Sequence, residues 1–169
     1  MMVQGDPEFG PVETEKELFS NLLGLEATEL ADLPIRVVAT AIPKLVIPIA
    51  SLAALRKVRP DLKGISRYCE RNIAKGFSLL TTETTGEGED LCTRYFNPLV
   101  GIDEDPATGV AAGPLGCYAD RHIFRGKKKQ LVIRQGFDMG MSSTIYVDST
   151  NEVLVGGYAV SFGETGISI

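Results

Sequence analysis

Gly109-Val110-Ala111-Ala112-Gly113-Pro114-Leu115-Gly116-Cys117-Tyr118-Ala119 is a run of small and apolar residues with no polar face. A helix that is apolar all round belongs inside a protein rather than on its surface. Three glycines make it a weak helix by propensity, so packing on every side has to hold it together. Small side chains also let neighbouring strands approach its backbone. Pro114 predicts either a kink or a helix that restarts with the proline near its beginning.

Working outward, most of the chain reads as strands placed to surround such a helix. Val- and Ile-rich runs predict strands over 35–40, 45–49, 77–82, 91–96, 130–135, 144–147, 153–155 and 158–162, with a short one at Val3-Gln4. Pro48 suggests that 45–49 is an edge strand or carries a bulge. Helical periodicity predicts a helix over 13–25, with Thr14 and Glu17 as a capping box and Gly24 at its end. A short helical piece is expected near 28–31. Two more helices are expected over 51–58 and 61–71, separated by Pro60 and capped by Ser51 and Asp61. The expectation is a single α+β domain over residues 1–169: antiparallel-rich strands wrapped around a central apolar helix.

The bulk numbers narrow the function classes. The 169 residues are 44% apolar and 23% charged, with a net charge of −5, as in an ordinary globular protein. No basic stripe points to nucleic acid, and the Lys127-Lys128-Lys129 run reads as a solvated turn. No apolar stretch is long enough to span a bilayer, and the N-terminus lacks the pattern of a signal peptide. Cys69, Cys92 and Cys117 are odd in number and widely spaced, and His122 is the only histidine. This predicts a cytoplasmic protein without a metal site.

Chemistry gathers just ahead of the apolar run. A helix N-terminus offers open N–H groups and a partial positive charge, so it can hold an anion such as a substrate carboxylate. Asp105 beside it either accepts or orients a substrate proton or simply caps the helix; capping is the plainer reading.

The stretch Arg94-Tyr95-Phe96-Asn97-Pro98-Leu99-Val100-Gly101-Ile102-Asp103-Glu104-Asp105-Pro106-Ala107-Thr108-Gly109 resembles the signature of the second, C-terminal lobe of the PhzF family, the phenazine-biosynthesis-like isomerases and epimerases. Gly113-Pro114-Leu115, Gln135-Gly136 with Met139-Gly140, and the run from Val153 to Val160 continue the likeness. So do Val37-Val38-Ala39-Thr40, Pro43 and Val46-Ile47-Pro48.

The resemblance implies one lobe of the diaminopimelate-epimerase-like fold, with the active site between two facing lobes. It implies cofactor-free movement of a proton on a small carboxylic acid. It assigns Asp105 as catalytic or substrate-orienting, and Thr108, Gly109, Val110, Gly136 and Met139 as substrate-binding. Val110 stands where the family usually has a serine, so one polar contact is lost. Met141 and Ser142 replace the usual Arg-Pro, and Ala41 replaces a common glycine. No thiol sits at the helix start, which disfavours two-cysteine racemisation, and Cys117 reads as packing only.

No first-lobe signature or glutamate base is found. The chain is therefore expected to be a fragment, one half of a split enzyme with a separate first-lobe partner, or a lobe paired with itself as a homodimer. The alternative is a non-catalytic lobe that binds a small carboxylate or only oligomerises.

Overall fold

The computed structural model of the chain describes residues 1–160 and 163. Nine strands form one sheet: β1 (Met2–Val3), β2 (Glu8–Glu13), β3 (Ile35–Ala39), β4 (Lys44–Pro48), β5 (Phe77–Thr81), β6 (Leu91–Phe96), β7 (Gln130–Gln135), β8 (Ser143–Asp148) and β9 (Leu154–Gly156). Four α-helices complete it: α1 (Lys16–Leu23), α2 (Leu52–Lys57), α3 (Leu62–Arg71) and α4 (Gly109–His122). The strand order is β1-β9-β8-β7-β6-β5-β4-β3-β2. Only β4/β5 and β6/β7 run parallel, so the sheet is antiparallel-rich as expected.

Strand alternation divides the interior into two cores. Val38, Val46, Leu80, Leu91, Leu131, Ile133, Val147 and Val155 face inward onto Ala112, Leu115, Tyr118 and Ala119 of α4. Their sequence neighbours Val37, Leu45, Ile47, Leu79 and Cys92, together with Phe77, face outward against Phe19, Leu55 and Ile65 of α1–α3. β4, β5 and β6 are consequently buried along their whole length.

The sheet curls around α4, which touches β3, β4, β5, β8 and β9. Gln4 helps to close the curl. Its N–H donates to Val153 O (2.8 Å), its Nε2 donates to Gly109 O (3.0 Å), and its Oε1 accepts from Thr40 Oγ1 (2.5 Å). A Cβ added at Gly113 would lie 2.0 Å from Gln4 Oε1, so only glycine admits this bridge.

α4 is one uninterrupted helix through Pro114, which excludes the restart, and it runs on to His122. Residues 111–119 are all buried. Ser51 and Asp61 cap α2 and α3 as predicted, accepting from Ala54 N and Gly64 N at 3.0 Å each.

Three expectations are corrected, and one strand, β2, was not expected. The Thr14/Glu17 capping box does not form, because the chain is still extended at Glu13 and α1 starts after Glu15 with no side-chain cap. A capping box forms instead at Glu26 and Glu29, around a 3-10 turn over Ala27–Glu29. β2 went unread because Gly10 and Pro11 break its alternation; its pairing with β3 shifts register between Phe9 and Val12, and edge strands and bulges tolerate proline. β4 is an interior strand despite Pro48. Residues 45 and 49 donate toward β5 (to Gly76 O and Leu80 O), which turns the proline nitrogen toward β3, where the ladder ends at Arg36 and Val46. Of the strand predicted over 158–162, residues 158–160 are not extended in the sheet, and 161–162 lie outside the described residues.

Candidate functional site

The antiparallel and parallel pairings put one set of chain ends on the same side of the sheet. The β3–β4 turn, the segment after β6, the β7–β8 turn and the start of α4 all lie there. The 97–108 segment leaves β6, and Asp105 N–H ties it back by donating to Tyr95 O (3.1 Å). Thr108 then turns the chain into α4.

Arg94 fixes this segment from below. It is 9% exposed, and its Nε and Nη2 donate to the two oxygens of Glu104 at 2.7 and 2.8 Å. Its Nη1 donates to the carbonyls of Leu55 and Val58, both at 3.1 Å, satisfying the C-terminal end of α2. A bidentate guanidinium–carboxylate pair is geometrically demanding as well as strong. Glu104 is thus committed to holding the segment, and Asp105 is left as the carboxylate next to the helix start.

Asp105 is half-buried. Its Oδ1 accepts from Ala107 N (3.3 Å) and its Oδ2 from Thr108 Oγ1 (2.7 Å). It does not cap α4. No side chain among the described residues caps that end; Ala111 N and Ala112 N donate to Thr108 O, which leaves the Gly109 and Val110 amides available to an anion. Gln135, at the end of β7, meets Thr108 N and Oγ1 at 3.3 and 2.9 Å and also donates to Asp105 O.

Gly136 follows with φ 73°, and a Cβ there would lie 2.5 Å from Met141 O and 2.7 Å from Pro106 O. Glycine therefore lets the β7–β8 turn close against the 106–108 segment. Ser143 Oγ reinforces this by donating to Pro106 O (2.7 Å).

A cleft of about 550 Å³ opens at the start of α4, lined among others by Met2, Ala107, Gly109, Ser143, Ile145 and Val155. Of the residues singled out from sequence, Asp105, Thr108, Gly109 and Val110 are brought together at the helix start. Gly136 braces them from β7. Of these residues Gly109 lines the cleft, whereas Asp105, Thr108, Val110, Gly136 and Met139 do not; Met139 sits in the 3-10 turn Phe137–Met139, with its N–H donating to Gly136 O.

Ile42 in the β3–β4 turn, Val100 and Ile102 after β6, and Met141 in the β7–β8 turn expose apolar side chains at this end of the sheet. The three cysteines are free and buried, and burial pushes the Cys92 and Cys117 thiols up to about 11. Among the described residues no group of metal-ligating side chains gathers, and no helix is long and apolar enough to cross a membrane.

Sequence reasoning missed Gln4, Arg94 and Gln135 as supports. Arg94 carried a usable signal: an arginine in an otherwise buried strand requires a carboxylate partner, and Glu104 follows ten residues later.

Residues 1–165 match the family model described as phenazine biosynthesis-like protein (PhzC-PhzF). An uncharacterized isomerase of Clostridium acetobutylicum is 34% identical over 95% of this chain and 57% of its own length. A trans-2,3-dihydro-3-hydroxyanthranilate isomerase of Pseudomonas chlororaphis is 29% identical over 90% of this chain and 55% of its own. A predicted epimerase of Pseudomonas aeruginosa superposes with a TM-score of 0.74 at 29% identity, covering 93% of this chain and 54% of the other. A Bacillus anthracis phenazine biosynthesis protein of the PhzF family shares the fold with a TM-score of 0.79 at 23% identity, covering 91% and 55%. The chain spans little more than half the length of these relatives.

Proposed function

This chain belongs to the phenazine biosynthesis-like (PhzC-PhzF) protein family, and from that premise we propose that it is the second lobe of a cofactor-free isomerase. In this reading it has the diaminopimelate-epimerase-like fold and supplies half of a site that moves a proton on a small carboxylic acid, in a cytoplasmic setting. One observation carries the proposal. Asp105, with hydrogen bonds to both its oxygens, directly precedes the turn into α4, where the Gly109 and Val110 amides are open and a cleft reaches Gly109.

The division of labour follows from the chemistry. The first-turn amides of α4 and its dipole receive the substrate carboxylate. Asp105 accepts or orients a proton or donor group on the substrate. Thr108 holds Asp105, Gly136 keeps the β7–β8 turn closed on the site, Val110 offers apolar contact at the helix start, and Met139, away from the cleft, reaches substrate only on closure with the facing half. The facing half comes from a first lobe or from a second copy of this chain, docked over Ile42, Val100, Ile102 and Met141. The substrate of the Pseudomonas chlororaphis isomerase is the first compound to test.

The test is solvent deuterium incorporation into trans-2,3-dihydro-3-hydroxyanthranilate and a panel of small carboxylic acids. Asp105→Asn is expected to lower incorporation at least about a hundredfold. Incorporation no faster than in buffer, or unchanged in Asp105→Asn, would defeat the proposal. Carboxylate binding without incorporation supports a second reading, a binding lobe without turnover. Val110 favours that reading, because its side chain offers no hydrogen bond at the helix start.

A further inference from the structure

We propose that Gln135 is a positioning residue that fixes Asp105 Oδ2 as a hydrogen-bond acceptor, acting through the Thr108 hydroxyl. The proposal rests on the reading of Asp105 as the group that meets substrate, and deepens it.

The argument is one of donors and acceptors. Gln135 is 2% exposed at the end of β7, so its amide has no recourse to solvent. At one end of that amide lies the backbone N–H of Thr108 (3.3 Å), which can only donate. At the other end lies the carbonyl of Asp105, which can only accept. The two constraints agree and leave one orientation: Oε1 toward Thr108 N, and Nε2 toward Asp105 O. The second proton of Nε2 then goes to Thr108 Oγ1 (2.9 Å).

A threonine hydroxyl has a single proton. Having accepted from Gln135, Thr108 directs that proton to Asp105 Oδ2 (2.7 Å). Ala107 N–H supplies the donor to Oδ1 (3.3 Å). Each Asp105 oxygen is therefore met by a donor, and the carboxyl group is held in one orientation beside the helix start.

The order of donors is directly observable by NMR on the intact chain. The Thr108 hydroxyl proton is expected as a slowly exchanging resonance coupled across the hydrogen bond to the Asp105 carboxyl carbon. Both Gln135 side-chain amide protons are expected to be protected, one of them coupled to the Asp105 carbonyl carbon. This second measurement needs no variant. In Gln135→Glu, which keeps the shape but replaces the donor with an acceptor, the hydroxyl coupling should leave Asp105 and move to the carboxylate at position 135. Deuterium incorporation should fall at least tenfold in the same variant.

Three results would overturn the role of Gln135: amide protons that exchange like those of a surface glutamine, a Thr108 hydroxyl not coupled to Asp105 in the wild type, or a coupling unchanged in Gln135→Glu. If the coupling pattern is present but Asp105→Asn leaves deuterium incorporation intact, the assignment of Asp105 falls and the donor order stands.

Discussion

Lys44 is 1% exposed, the most deeply buried charged side chain among the described residues. Its Nζ donates to Lys75 O (3.2 Å) and lies 5.2 Å from the centre of the Tyr95 ring. Burial lowers its pKa to about 8, against an ordinary value of 10.5. Below pH 8 the folded and unfolded chains both carry the charge, and the folded one bears its burial in full. Between pH 8 and 10.5 the folded chain releases the proton first, so the unfolded state binds more protons and stability rises with pH. The gain is fully present above 10.5 and is lost as pH falls through 8. Urea unfolding from pH 7 to 10.5 should show a rise of roughly 3 kcal/mol from this group, absent in Lys44→Met. Equal slopes in the two proteins would refute the assignment. Residues of this kind were hard to read from sequence because their partners are remote: Lys75 for Lys44, Thr40 and Val153 for Gln4. Asp105, Thr108 and Gly109 were legible because their partners lie within a few positions of one another.

At the scale of elements, α4 was the most legible feature. Its composition alone placed it inside the protein, and the strands that surround it were mostly found as Val- and Ile-rich runs. Its glycines, however, answer to close approach rather than to helix chemistry. A Cβ at Gly116 would lie 2.6 Å from Val147 Cγ1 on β8. Gly116→Ala should gain up to about 1 kcal/mol in helix propensity but lose about 1–3 kcal/mol to overpacking, for a net destabilisation. In the double variant Gly116→Ala/Val147→Ala the loss should be smaller than the two single losses combined, as measured by chemical denaturation. Strict additivity would mean that the close approach is not what selects glycine. β2 was the least legible element for a related reason. Its register is held by pairing to β3 across a bulge, and no periodic pattern survives Gly10 and Pro11.

For the whole molecule, strands wrapped around one apolar helix were legible, but the second core under α1–α3 was not, nor was the pairing of β1 with β9, which no local pattern encodes. The end of the sheet that carries Asp105 also exposes Ile42, Val100, Ile102 and Met141, at 46%, 63%, 39% and 56%. Apolar side chains grouped around a site are the expected footing for a partner lobe. Sedimentation or light scattering of the isolated chain should therefore give a mass above that of the monomer, returned toward the monomer by Ile42→Lys or Met141→Lys. A monomer at high concentration, with no change in either variant, would count against docking on this face.

The pairing of Met2 with Val155 and of Val3 with Leu154 bears on the order in which the molecule can assemble. On the ribosome, β1 emerges before the other eight strands of this sheet, and its partner emerges last of the nine. The first residues of the sheet must therefore wait, unpaired, through the synthesis of the rest. Contacts between such distant parts of a chain slow the final step of folding and prolong the life of a nearly complete intermediate whose last strand is still unmatched.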